Sequence, residues 1–362
     1  MISIVAHPLK RPAESQLSLL TTVLDLFGVD YRYSTVDDLP ESGIIITDCF
    51  VMETSVGDPG NDLALAILND CRNNKIVFYY PSESYATLSA SFCPTVDICK
   101  EKGIEAYLVK CGDWDIDGFV KNYNLSTFFS WIISSKFNLA RLAYTWHKID
   151  TAIKTHKFLF FNGEYRINRE HFFGLYQQAG LLENSIWSHR GGKGDSGHKP
   201  ANDWPDPFVH PDFRFYAYLP SHYYQTRLGM ISETAQNEFF PTEKIYKSLM
   251  LGHPFVVYSA QGCLEKLQNL GFKTYSDYID ETYDQVEYPF ERAEKIINTL
   301  RTCPDDIDIV AKDINTHNRK HFLFLSNKIY LEVLDILIDI DPNLKFKEEF
   351  EVDSVLLNKY FL

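Results

Sequence analysis

Short apolar runs alternate along the chain with segments whose apolar residues recur at helical spacing. MISIVA opens as a strand, and residues 13–28 follow as a helix that stops at Gly28. YRYST and GIIITDCF are predicted strands. NDLALAILNDCRNN predicts a helix with Asn61 as its cap. KIVFYY and IEAYLVKC complete this series as buried strands. Residues 117–155 carry mostly helical spacing.

A second series begins at KFLFFNG, continues through the helix NREHFFGLYQQAGLL, and is interrupted by SHRGGKGDSGHKPANDWPDPF. That Gly-, Pro- and Asp-rich stretch reads as a long loop. LGMISET is then a strand, and TEKIYKSLMLG a helix capped by Thr242 and ended by Gly252. PFVVYSA, CLEKLQNLG and FKTY predict strand, helix and short strand, and helical spacing runs from about residue 290 to 340.

Two such series predict an α/β protein with two Rossmann-like domains facing a cleft and helices at the C-terminus. The expected boundaries are 1–150, 151–303 and a helical segment 304–362. Open parallel sheets take ligands at the carboxyl ends of their strands, which directs attention to the residues just after each strand.

The sharpest of these is Ser232–Val257. A strand ends in Glu233, a loop follows, Thr242-Glu243-Lys244 opens a helix, and Gly252-His253-Pro254 leads into the next strand. A helix start offers unpaired N–H groups and the positive end of the dipole, which suits a diphosphate. Lys244 adds a full charge there, Glu243 is an acceptor suited to ribose hydroxyls, and Glu233 one suited to sugar hydroxyls. Seen alone, Thr-Glu-Lys reads as an ordinary capped surface helix. The combination with the strand-end acid and Gly-x-Pro is what points to a site.

Phe161-Asn162-Gly163-Glu164-Tyr165-Arg166 stands after the first strand of the second series. Gly163 permits close backbone approach, and Arg166 or Arg169 is suited to gripping a phosphate. The bland alternative is two solvated arginines at a helix start. Asp280, Glu281, Tyr283 and Asp284 form an acidic–aromatic loop, read as a packed connector rather than a lid.

Composition narrows the classes. The chain has 362 residues, 45% hydrophobic, and a formal net charge of −14, so no bulk basic stripe marks it as a nucleic-acid binder. Seven cysteines without any Cys-x-x-Cys pair favour reduced thiols and a cytoplasmic setting over a disulfide or zinc framework. No stretch predicts a membrane span or signal peptide. Gly-x-Gly-x-x-Gly, the P-loop and His-Glu-x-x-His are absent from the sequence. Asp113-Trp114-Asp115 reads as a turn rather than a metal site, and no metal is expected.

The pattern Ser-Glu…Thr-Glu-Lys…Leu-Gly-x-Pro resembles the donor-site signature of the alpha-fucosyltransferases over about Ser232–Val257. FNGEYRINREHF, TEKIYKSLMLGHPFVV, LGFKTYSDYIDETYD and HNRKHF also resemble pieces of glycosyltransferase-like proteins of phages and large DNA viruses. The resemblance implies a GT-B fold and metal-independent transfer from a nucleotide-diphosphate-sugar, which is a co-substrate, with no other cofactor. Carried over, Glu243 would bind ribose, Lys244 the phosphates and Glu233 the donor sugar. Thr234 stands where the fucosyltransferase pattern has Asn, so the sugar is left open.

An inverting transfer needs a base. Glu83 follows a buried strand in Pro81-Ser82-Glu83-Ser84-Tyr85, which resembles a fucosyltransferase Glu-Ser-Pro with Tyr85 in place of proline. His7 ends the first strand and competes with it, and Asp48 and Glu53 are further candidates. The acceptor is a glycan or a hydroxylated DNA pyrimidine. For DNA, Arg190, Lys193, His198 and Lys199 would supply a local basic face. The alternatives are a non-catalytic nucleotide-sugar-binding or assembly protein and a nucleotide-sugar epimerase. Oligomeric state is not legible.

Overall fold

The computed structural model describes residues 2–5, 17–48, 59–71, 74–80, 85–111, 119–125, 139–162, 165–189 and 222–345. The chain divides into two compact units, Met1–Lys136 with Ser326–Leu362, and Phe137–Leu325. The sequence pattern had drawn the lines at 150/151 and 303/304. The helix Leu139–Thr151 falls in the second unit, where Trp146 Nε1 donates to Met250 O at 2.8 Å. The end of the long helix Lys312–Ile340 falls in the first, where Lys75 Nζ donates to Ile340 O at 2.6 Å.

In the first unit the strands are β1 Ile2–Val5, β2 Tyr31–Tyr33, β3 Gly43–Thr47, β4 Asn74–Tyr79, β5 Glu105–Cys111 and β6 Lys121–Leu125. All pair in parallel, in the order β2-β1-β3-β4-β5-β6. Helices α1 Leu17–Phe27, α2 Pro59–Asp70 and α3 Tyr85–Lys102 connect them. One apolar core joins Val5, Ile45, Ile76, Phe78 and Leu108 of the sheet to Ile67 and Leu68 of α2 and Val96 of α3. Burial of such a continuous face is what stabilises a parallel sheet.

In the second unit the strands are β7 His156–Asn162, β8 Ser185–His189, β9 Thr226–Ser232 and β10 Phe255–Tyr258, in the order β10-β9-β7-β8 and all parallel. Its helices are α4 Leu139–Thr151, α5 Ile167–Gln178, α6 His222–Gln225, α7 Glu243–Leu251, α8 Cys263–Asn269, α9 Pro289–Thr302 and α10 Ile307–Val310, and α11 is Lys312–Ile340. Aromatic rings fill the space between α5 and the sheet. Phe160 meets Phe172 edge-on at 5.7 Å, and Phe172 stacks on Tyr258 at 5.0 Å.

The expected α/β architecture with two parallel-sheet units stands. Four local expectations do not. Helix α2 begins at Pro59, so Asn61 lies inside it rather than capping it; proline suits a first turn because its missing N–H has no intrahelical use. Lys121–Leu125, inside the stretch read as helical, is an edge strand with polar, partly exposed residues and no apolar alternation to betray it. Phe272–Tyr275 is not a strand. Asn318 of α11 pairs with both backbone groups of Lys273 at 2.9 Å and does a neighbouring strand's work. Ser185–His189 is a strand at the threshold of the long loop.

Thr242 and Gly252 bound α7 as expected. The Thr242 hydroxyl accepts from the Lys244 N–H, and Gly252 takes φ 59° at the other end. Among the described residues no helix is long and apolar enough to cross a membrane.

Candidate functional site

In the second sheet the chain goes from β7 outward to β8, then returns to the other side of β7 with β9 and moves on to β10. The order therefore reverses between β7 and β9. Right-handed crossovers then put α5 and α7 on opposite faces of the sheet, so their first turns flank the carboxyl ends of β7 and β9. In open parallel sheets this reversal is where ligands bind.

The four strands end level with one another. Register pairs Asn162 with His189 and Ser232 with Tyr258, and continuing the β7–β9 pairing from Phe160 and Met230 brings Asn162 beside Ser232. Every strand thus ends in a polar residue on one rung. His189 stacks on Phe173 of α5 at 3.8 Å, which marks α5's face as the rung's face. Asn162, Ser232 and Tyr258 are buried, yet Asn162 Oδ1, Ser232 Oγ and Tyr258 OH have no hydrogen-bond partner among the described residues. Burial holds the Tyr258 phenol up at about 12, so it stays a donor at neutral pH. Unsatisfied buried polar atoms are costly and need a reason.

Beside this rung, Glu233 follows β9 with its carboxylate fully buried. Glu233 Oε1 accepts from the Thr242 N–H at 2.9 Å, and Oε2 from the Thr242 hydroxyl at 2.6 Å. Lys244 Nζ donates to Thr242 Oγ1 at 2.9 Å and lies 3.6 Å from Glu233 Oε2. The strand-end acid therefore sets the first turn of α7 and steadies Lys244, whose side chain is 26% exposed. Glu243 opens that helix; its side chain is not among those described.

On the α5 side, Arg166 is the exposed N-cap residue, its Nη1 donating to Tyr165 O at 2.9 Å. Arg169 is buried instead. Its Nη2 donates to Ser232 O at 3.0 Å and to Thr234 Oγ1 at 3.1 Å, tying the first turn of α5 to the end of β9. Of the residues picked from the sequence, Arg166, Arg169, Glu233, Thr242 and Lys244 come together around one strand reversal. Glu233 and Arg169 stand there as framework, the carboxylate and Arg169 Nη2 engaged with protein. Gly163, Glu83 and His7 lie outside the described residues, as do Glu53, Asp113, Asp115 and the basic residues of the long loop.

The first sheet also reverses once, between β1 and β3, and Asp48 sits buried just past β3 at that point. A hollow of about 640 Å³ in the first unit is lined by Lys75, Glu105, Tyr107, Lys121 and Asp339. It opens at the amino ends of β4, β5 and β6, the wrong edge for a ligand site, and is bridged by Lys75–Glu105 at 3.7 Å and Lys121–Asp339 at 2.5 Å.

The acidic–aromatic loop is a connector. Both Asp284 oxygens accept from the Leu264 N–H at 3.1 Å, holding the start of α8, and the Tyr283 ring is buried. Sequence reasoning missed Asn162, His189, Glu170 and Arg292. Asn162 precedes a glycine at a strand end and was visible in principle. Arg292 was not: it is buried in the first turn of α9, donating to Val286 O at 2.6 Å and Gln236 O at 3.4 Å, which only tertiary packing arranges. Among the described residues no three His, Cys, Asp or Glu side chains gather as a metal-ligand set.

The fold defines an α/β protein of two parallel-sheet units, with two helix starts beside the strand reversal of the second. No protein-family profile matches the chain, and no curated protein matches it. Among solved structures it is similar to one described as alpha1,3-fucosyltransferase with GDP-fucose, at 9% identity over 96% of this chain and 93% of that one, with a TM-score of 0.46. A likeness of that size shows neither family nor activity.

Proposed function

We propose that this chain is a GT-B glycosyltransferase that moves a sugar from a nucleotide-diphosphate donor to a hydroxyl acceptor. One observation carries the reading. The first turns of α5 and α7 flank a single strand reversal, with Arg166 as the N-cap residue of α5, Lys244 in the first turn of α7, and Glu233, Thr242 and Arg169 holding both turns in place. Two helix starts and two cations make a diphosphate cradle. They would also take up the charge that builds on the leaving diphosphate, with no metal required. The donor-motif resemblance at Ser232–Val257 supports the same assignment. In it Glu243 faces ribose, Gly163 lets backbone approach the phosphates, and Glu83 or His7 takes the acceptor proton in an inverting displacement. The acceptor is a glycan or a hydroxylated DNA pyrimidine, the latter in keeping with the phage-like resemblance. The cysteine usage suits a cytoplasmic enzyme.

The test is a thermal-shift series with UDP, GDP, CDP and their sugars, with EDTA present, on wild type and Lys244→Ala. A bound ligand well above its dissociation constant raises the melting point. The reading expects one diphosphate to stabilise the wild type and to lose its effect in the variant. No shift with any nucleotide sinks it. Labelled-sugar transfer then separates a transferase from a binder, which releases nothing, and from an epimerase, which isomerises the donor without an acceptor.

A further inference from the structure

The buried end of β7 carries more than a strand terminus needs. Asn162 is 2% exposed, and its Nδ2 lies 3.3 Å from Arg169 O and 3.0 Å from His189 Nδ1. A backbone carbonyl only accepts, so the amide atom facing Arg169 O is the nitrogen. The same nitrogen donates its second proton to His189 Nδ1, which must therefore be the unprotonated ring nitrogen. Nε2 then carries the proton; it lies 3.1 Å from Glu170 Oε1 without the alignment of a hydrogen bond. The His189 ring is held flat on Phe173, with 3.8 Å between centroids and planes 5° apart. Phe173 thus sets the imidazole, and the imidazole with Arg169 O sets the Asn162 amide.

The nitrogen is turned toward β8 and α5, so the oxygen is turned the other way, toward β9 and the strand reversal. That oxygen is buried and has no partner among the described residues. A buried amide oxygen wants a donor, and in an empty site an internal water supplies one.

We propose that Asn162 is a specificity-determining residue whose amide oxygen accepts a hydrogen bond from a hydroxyl of a nucleotide-sugar at the strand reversal, with His189 as its positioning residue. The proposal rests on the donor-site reading above. An acceptor oxygen at this strand end, beside the first turn of α5, is unsuited to phosphate oxygens and suited to an O–H. Ribose and the transferred sugar both offer that chemistry.

The experiment measures dissociation constants by calorimetry for UDP, GDP, CDP, their sugars, and the 2′-deoxy and 3′-deoxy diphosphates. The proteins are the full-length wild type, Asn162→Leu, Asn162→Asp and His189→Phe. Asn162→Leu is expected to weaken the preferred ligand about ten-fold, the scale of one lost hydrogen bond. Asn162→Asp keeps an acceptor oxygen but loses both N–H donors and sets a buried carboxylate against Arg169 O, so it is expected to weaken binding about ten-fold as well; wild-type affinity in this variant would overturn the assigned orientation of the amide. His189→Phe keeps the stack on Phe173 but frees the amide, and should lose part of the same discrimination.

If the Leu penalty vanishes for one deoxynucleotide, the hydroxyl is on the ribose; if it appears only with the nucleotide-sugar, the hydroxyl is on the sugar. Equal affinity of wild type and Asn162→Leu for every ligand, with only the melting point lowered, overturns the proposal and leaves Asn162 a water-satisfied strut. If Asn162→Leu fails to fold, unchanged discrimination among the deoxy ligands in His189→Phe overturns it. A wild type that binds no nucleotide removes the donor reading itself, a different result from tight binding that ignores Asn162.

Discussion

Glu233 and Thr242, nine positions apart, are joined twice: the carboxylate takes the Thr242 N–H on one oxygen and the Thr242 hydroxyl on the other, at 2.9 and 2.6 Å. The hydroxyl in turn accepts from the Lys244 N–H at 3.4 Å and caps α7. A strand end, a loop and a helix start are thereby locked into one geometry. Thr242→Ala removes the cap, about 1 kcal/mol, and leaves a buried carboxylate short of a donor, a further cost of about 1–2 kcal/mol. Urea unfolding is expected to show a loss of about 2–3 kcal/mol, largely restored by Thr242→Ser. A loss no greater than that of an exposed cap, with Glu233 unaffected, would count against the double link.

Gly252 does two things at once. Its φ of 59° suits a helix end, and a Cβ there would stand 2.5 Å from Arg319 Nε and 2.6 Å from Asn315 O. Arg319 Nε caps α7 by donating to Leu251 O at 2.7 Å and cannot easily give way. Gly252→Asn, which the backbone angle alone tolerates, is therefore expected to cost more than about 2 kcal/mol. Gly180→Asn is the control. Its φ is 71° with nothing within 4 Å of the added Cβ, and it should cost under about 1 kcal/mol. Similar melting points for the two variants would refute the close-approach argument.

His253 is fully buried behind α7, its Nε2 3.1 Å from Thr226 O. Burial, aided by the nearby Lys154 charge, holds its pKa down at about 3 against 6.5 for the free ring. The folded state thus binds fewer protons than the unfolded state between these values, so stability is whole above about pH 6.5 and falls as pH drops toward 3. The loss over that window is on the order of a few kcal/mol. His253→Gln should start less stable at pH 7 but show a flatter decline from pH 6.5 to 4 in denaturant melts. Parallel curves for the two proteins would mean that His253 does not drive the acid response.

Five of the seven cysteines, Cys71, Cys99, Cys111, Cys263 and Cys303, are free and buried. Burial pushes the Cys71 and Cys303 thiols up to about 11 and Cys99 to about 12, and raises Cys111 and Cys263 as well. Thiolate is the reactive form, so a native-state thiol titration at pH 8 should find at most two fast groups. The other five should react only on unfolding. Three or more fast thiols would contradict the burial.

Periodicity carried the architecture a long way. Apolar runs such as Ile44–Ile46 and Phe255–Tyr258 are buried wherever they fold, because a parallel sheet covered on both faces demands them. Thr242 and Gly252 were legible because caps act within one turn of their own helix. The edge strand Lys121–Leu125 was not legible, since an exposed edge leaves no hydrophobic signature. Nor was the pairing of Lys273 with Asn318, 45 positions away.

The same division runs through the site. Sequence alone singled out the candidates: Lys244 at a helix start and Arg166 after a strand for a diphosphate, and Glu233 at a strand end for sugar hydroxyls. Tertiary structure decided what each side chain touches. Strand order alone makes β7 and β9 neighbours, which spends Arg169 on the Ser232 carbonyl and Glu233 on Thr242, and sets Asn162 level with Ser232, His189 and Tyr258. Local propensity and charge are properties of a few adjacent residues. Which polar atom is buried, and against what, depends on segments far apart in the chain that meet only when the sheet forms.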